Sequence, residues 1–179
     1  MTELTAGARA VVLVAFLIAV SWTDSRCARI RNAHTFPAMA IGLGLGLIGG
    51  GLEGLTHSAW GLFAAFLIML PLFALNVMKA GDAKMMMAVG ALMGAELALR
   101  AVIASTFLYV PIALVILLGR GAGGNIGQAL KRLWRFFYTT VHPLLKREAL
   151  VAEGAVWTPY GAVLALSTLL VWQTNFLRF

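Results

Sequence analysis

The chain is poor in charge and nearly free of cysteine. Of its 179 residues only 12% are charged, seven of them acidic, and Cys27 is the single thiol. A soluble domain of this length carries about twice that charged fraction. One cysteine excludes a disulfide framework and a four-cysteine zinc site. Histidine is also sparse: His34, His57 and His142 lie in different loops and form no His-x-x-x-His pair. That argues against a zinc peptidase, so no metal and no cofactor is expected. The net charge of +7 raises the question of nucleic acid, but the cations cluster between apolar blocks and no DNA- or RNA-binding motif is present. Their placement is the loop bias of a membrane protein, and no nucleic-acid partner is expected.

What is abundant is apolar sequence: 61% hydrophobic residues and a mean hydropathy of +0.89. The apolar residues come in long blocks without amphipathic alternation, the sign of spanning helices. The reading is an all-α polytopic bundle, one membrane-embedded domain over residues 1–179, with about six transmembrane helices and one basic cytosolic interfacial helix. Span one covers about Ala6 to Trp22, with Arg9 snorkelling outward; no small-residue cleavage site follows, so it is read as retained. Span two, Phe36 to Leu52, holds Gly42, Gly44, Gly46 and Gly49 to Gly51, a density that lets helix backbones approach closely; a flexible hinge at Gly49 to Gly51 is the other reading. A short turn with Glu53 and His57 leads to span three, Ala59 to Met78, in which Pro71 should make a kink.

Span four starts at Asp82 and runs to about Ala98, and span five covers Val102 to Leu118. Glu96 and Arg100 are spaced for an ion pair between them. The segment Gly119 to Trp157 opens on a glycine-rich connector that lacks the Lys-Ser/Thr ending of a phosphate loop. From Ile126 to Val141, Ile126, Leu130, Leu133, Trp134, Phe137 and Val141 share a face opposite Lys131, Arg132 and Arg135. This reads as a helix lying on anionic membrane lipids, with docking of a partner helix as the alternative. Span six is Pro159 to Phe176.

Eleven Lys and Arg fall in the loops 23–34, 79–84 and 119–158, against Arg9, Arg100 and Arg178 on the other side. The bias puts those loops in the cytoplasm and both termini outside. Asp24 and Asp82 then lie at one membrane face, each beside the end of an apolar run. A carboxylate at that depth costs roughly 2–4 kcal/mol unless paired or wet, which makes a functional reading the default. Two aspartates within a few ångströms share a proton and titrate as a pair. One then takes a proton from water attacking a peptide carbonyl while the other donates to the substrate. Gly81 lets an extended substrate approach Asp82, which opens a helix whose positive end favours the ionised form. Lys84 either adds to that field or faces lipid headgroups.

Three segments carry a resemblance. Asp24-Ser25-Arg26-Cys27-Ala28-Arg29-Ile30-Arg31-Asn32 resembles the Asp-x-x-x-x-x-Ile-Pro-Asn segment of type IV prepilin peptidases. Ala80-Gly81-Asp82-Ala83-Lys84 resembles their Gly-x-Gly-Asp-x-Lys motif, and Thr158-Pro159-Tyr160-Gly161-Ala162 the Pro-Tyr-Gly that opens their last helix. The matches keep the family's order. Arg31 stands where the family has proline, and Lys79 where it has the first glycine.

The resemblance implies an aspartic endopeptidase of the bacterial inner membrane, its active site facing the cytoplasm, that cuts the leader from a pilin precursor. Asp24 and Asp82 would be catalytic. Asn32, Tyr160 and Gly161 would hold the pair or the substrate backbone; for Asn32 and Tyr160, helix capping and interface anchoring are the competing account. Larger members begin with a cytosolic domain bearing Cys-x-x-Cys zinc sites, linked to N-methylation of the cleaved pilin. This chain does not carry one and is similar to the short form found with Flp/Tad pili. The rival readings are a small proton-coupled transporter with the aspartates as a relay, and a structural membrane subunit. The first lacks an ionisable residue near the midplane, and the second leaves the three motifs unexplained.

Overall fold

The structure, a computed structural model, describes residues 3–27, 30–74, 78–119 and 160–174. Among these residues all regular structure is helical: α1 Glu3–Cys27, α2 Asn32–Ala74, α3 Ala80–Met93, α4 Ala95–Gly119 and α5 Tyr160–Thr174. The basic helix expected at 126–141 lies outside the described residues. By length and apolar content α1 and α2 are each able to cross a membrane.

As a straight rod, the 43 residues of α2 would run about 65 Å. It is not straight. Gly50 and Gly51 leave helical geometry, Gly51 at φ 59°, and the chain turns back on itself. Only a reversal brings Gly46 and Gly54 into contact; a Cβ on Gly46 would meet the Gly54 carbonyl at 2.6 Å. The two arms, residues 32–49 and 52–74, correspond to the expected spans two and three. At 1.5 Å per residue they measure about 27 and 35 Å, close to the thickness of a bilayer core. The turn sits earlier than expected, so Glu53 and His57 belong to the second arm. The backbone stays helical through Pro71.

Glycines let the neighbouring helices touch through their backbones. A Cβ on Gly42 would lie 2.9 Å from the Ala91 carbonyl carbon, and one on Gly61 would lie 2.1 Å from the Gly90 carbonyl oxygen. α3 therefore lies against both arms of α2. It stops at Met93, short of the expected end near Ala98, because Gly94 adopts φ 94°, ψ 170° and α4 begins at Ala95. The core runs through Leu13, Leu17, Val20, Met85, Met86, Val89 and Leu164, all fully buried. The outside is apolar as well. Trp60, Phe63 and Phe66 form an exposed aromatic row with ring spacings of 6.1 and 6.5 Å. Such a surface belongs in lipid rather than water.

Arg9 does not snorkel. It is 4% exposed, and its guanidinium donates to the Leu92 carbonyl at 3.4 Å and to Ser58 Oγ at 3.2 Å. The break at Gly94 leaves late carbonyls of α3 without a helical partner and concentrates the negative end of the helix there, so a buried cation is better satisfied inside the bundle. Arg100 pairs with Glu96, as the spacing suggests.

Candidate active site

The sequence points to a loop at Asp24; the structure places it in the last turns of α1. The hydrophobic run ends near Trp22, yet the helix continues to Cys27, with Thr23 Oγ1 bonding back to the carbonyls of Ala19 and Val20, each at 3.0 Å. The extra turns put Asp24 on the face of Leu13, Leu17 and Val20, where it is 4% exposed. Asp82 is also 4% exposed, on the α3 face that carries Met85, Met86 and Val89.

The two carboxylates are held by different means. Asp82 is the third residue of α3, and its Oδ2 accepts the Lys79 N–H at 3.1 Å, the acidic half of a capping box. Asp24 is held by a distant part of the chain: its Oδ2 accepts the Ala162 N–H at 3.2 Å. A carboxylate at the start of α5 is stabilised by unpaired N–H groups and the positive end of the helix. The carboxylates lie within each other's electrostatic reach, and Lys79 acts on both.

The glycines of both motifs make room for a single side chain. A Cβ on Gly81 would lie 3.1 Å from Ile30 Cβ; one on Gly161 would lie 2.9 Å from Ile30 Cδ1 and 2.8 Å from Asp24 Oδ2. Ile30 thus fills the space beside Gly81 that the sequence reading gave to substrate. It wedges between the starts of α3 and α5.

Tyr160 bonds Ser105 at 3.1 Å and meets Tyr109 edge-on at 5.1 Å. Ser105 commits its only proton to the Val102 carbonyl at 2.7 Å, so Tyr160 is the donor of that pair. Sequence reasoning missed Ser105 and Tyr109, which carry no motif; a hydroxyl in an apolar span was the only signal. Lys84 Nζ donates to Asn32 Oδ1 at 3.0 Å and sits 5.4 Å over the Phe36 ring. These two residues tie α2 to α3 at the rim instead of meeting the carboxylates. Among the described residues no group of three His, Cys, Asp or Glu could hold a metal ion.

Asp24 and Asp82 are thus two buried carboxylates, each accepting a backbone N–H, at one end of a helical bundle. Residues 11–114, which contain both, match the type IV leader peptidase family. The match covers more than half of the chain, which belongs to this family of membrane-integral aspartic-type peptidases acting on pilin precursors. Comparisons with curated proteins and with solved structures returned no match.

Proposed function

We propose that the chain is a prepilin leader peptidase in which Asp24 and Asp82 carry the chemistry. It would cross the bacterial inner membrane six times, the two arms of α2 counting separately, with the carboxylates at the cytoplasmic face. The substrate would be a pilin precursor of the Flp/Tad type, its leader in the cytosol and its apolar segment in the bilayer. The ionised carboxylate takes a proton from water as the water oxygen bonds to the scissile carbonyl carbon. The protonated one donates to the carbonyl oxygen, and the C–N bond then breaks with a proton passing to the leaving amine.

The observation that carries this reading is the approach of two buried aspartates from α1 and α3, the only described acids at that end of the bundle. Asp24→Asn and Asp82→Asn keep shape and hydrogen bonding but abolish ionisation. Each should insert normally yet leave the leader of a co-expressed precursor uncut. Groups acting as a unit are strongly non-additive, so the double variant should be hardly worse than either single one. A membrane-inserted Asp24→Asn protein cutting at near-parental rate would remove the pair from the mechanism.

A further inference from the structure

Ile30 lies in the connection between α1 and α2, is 8% exposed, and reaches both halves of the site. The two ends of its side chain meet different elements. Its Cβ lies 3.1 Å, and its Cγ1 3.7 Å, from the point where a Cβ on Gly81 would stand, one residue before Asp82. Its Cδ1 lies 2.9 Å from the corresponding point on Gly161, one residue before the Ala162 N–H that Asp24 accepts. Asp24 Oδ2 stands 2.8 Å from that same point. The terminal methyl of Ile30 and the carboxylate oxygen therefore pack around one stretch of bare α5 backbone.

On both sides the isoleucine meets a residue without a side chain, so its own length fixes how far the start of α5 stands from the start of α3. A closer approach would overlap atoms, and a wider one would leave a gap beside two buried carboxylates; a close-packed interior resists both. The branch at Cβ restricts χ1, which makes the reach from Gly81 to Gly161 well defined.

We infer that Ile30 is a positioning residue: its side chain spaces the start of α5 from the start of α3 and so holds the Ala162 N–H on Asp24. Asp82 does not depend on this spacing for its own bond, because Oδ2 is held by the Lys79 N–H three residues away. Loss of the spacer thus acts on one carboxylate of the two. The consequence for cleavage rests on the peptidase reading above; the consequence for the hydrogen bond of Asp24 does not.

The test uses the full chain in lipid vesicles with Ile30→Val, which removes only Cδ1, the atom that faces Gly161. Deleting one buried methyl is among the mildest core truncations, so the variant should fold. The control is Val171→Ala, a larger deletion at a buried position of the same helix, about 15 Å further along. Two quantities are read: kcat and KM for a co-reconstituted precursor, and the infrared carbonyl band of each aspartic acid at a pH acid enough to protonate both. The bands are assigned by their disappearance in Asp24→Asn and Asp82→Asn. In Ile30→Val the Asp24 band should move to higher frequency as its N–H donor withdraws, with the Asp82 band unmoved. kcat should fall by about tenfold with KM unchanged, the mark of a misplaced group rather than lost binding. Val171→Ala should shift neither band.

An Asp24 band that stays in place in Ile30→Val would overturn the inference. So would equal shifts of both bands, or the same shift in Val171→Ala, since either would mean a general loosening of the bundle. A rise in KM with kcat and both bands intact would make Ile30 a substrate contact instead. If the parent cuts no precursor, the peptidase reading fails while the two bands still decide the role of Ile30.

Discussion

A methyl group on Gly161 would lie 2.8 Å from Asp24 Oδ2, so the backbone of α5 reaches the carboxylate only because this residue has no side chain. The fit is tight on two sides, with Ile30 Cδ1 2.9 Å away. Gly161→Ala should push Asp24 off the Ala162 N–H while leaving the bundle assembled. The expected result is a loss of leader cleavage of at least about tenfold, the cost of misplacing one member of the proposed pair. Precursor cleavage at equal amounts of membrane-inserted protein measures it, and parental activity would show that Asp24 does not depend on α5.

Gly61 and Gly90 touch backbone to backbone, each lying where the other's Cβ would go. Gly61→Ala should therefore separate α3 from the second arm of α2 and destabilise the protein by about 1–3 kcal/mol, as overpacking does. Gly44 has nothing within 4 Å of the same construction, and Gly44→Ala should leave stability unchanged or slightly raised. Thermal midpoints in one detergent compare the three proteins directly.

Arg9 bridges α1, the second arm of α2 and the end of α3, contacting a carbonyl 83 residues away in sequence. Arg9→Met keeps the length of the side chain but strips partners from Leu92 O and Ser58. A loss of roughly 1–3 kcal/mol is expected from the unpaired buried groups, with Arg9→Lys intermediate. A Met variant as stable as the parent would return Arg9 to the lipid interface.

Cys27 is exposed in the last turn of α1 and is the only thiol in the chain. It therefore reports on which side the aspartates face. A membrane-impermeant thiol reagent should label inverted vesicles and spare intact cells. Labelling from outside would reverse the orientation. Cys27→Ser should remain active.

Much of the architecture was legible because hydrophobic blocks are long and glycines mark where backbones approach. Asp82 at a helix start and the turn between spans two and three follow from such local signals. Hydropathy ends at Trp22 and points to a loop at Asp24, whereas the helix continues to Cys27 with Thr23 bonded back to its own turn. The fate of Arg9 was not legible, since it is decided by a carbonyl freed at Gly94 on another helix. The break at Gly94 itself falls in an alanine-rich run with no proline to announce it. Ile30 stood in the quoted motif, but its contact with two glycines from other helices exists only in three dimensions.

The unequal anchoring of the two aspartates gives the halves of the site different dependencies. Asp82 is fixed by a residue three positions away, and α3 is wedged against both arms of α2, so its position is set early in the chain and by local structure. Asp24 takes its anchor from Ala162, 138 positions later. A polypeptide arrested before α5 can fold the first half of the site but not secure the second. Any force that lifts α5 from the bundle acts on one carboxylate and spares the other, so the last helix works as a latch on the first.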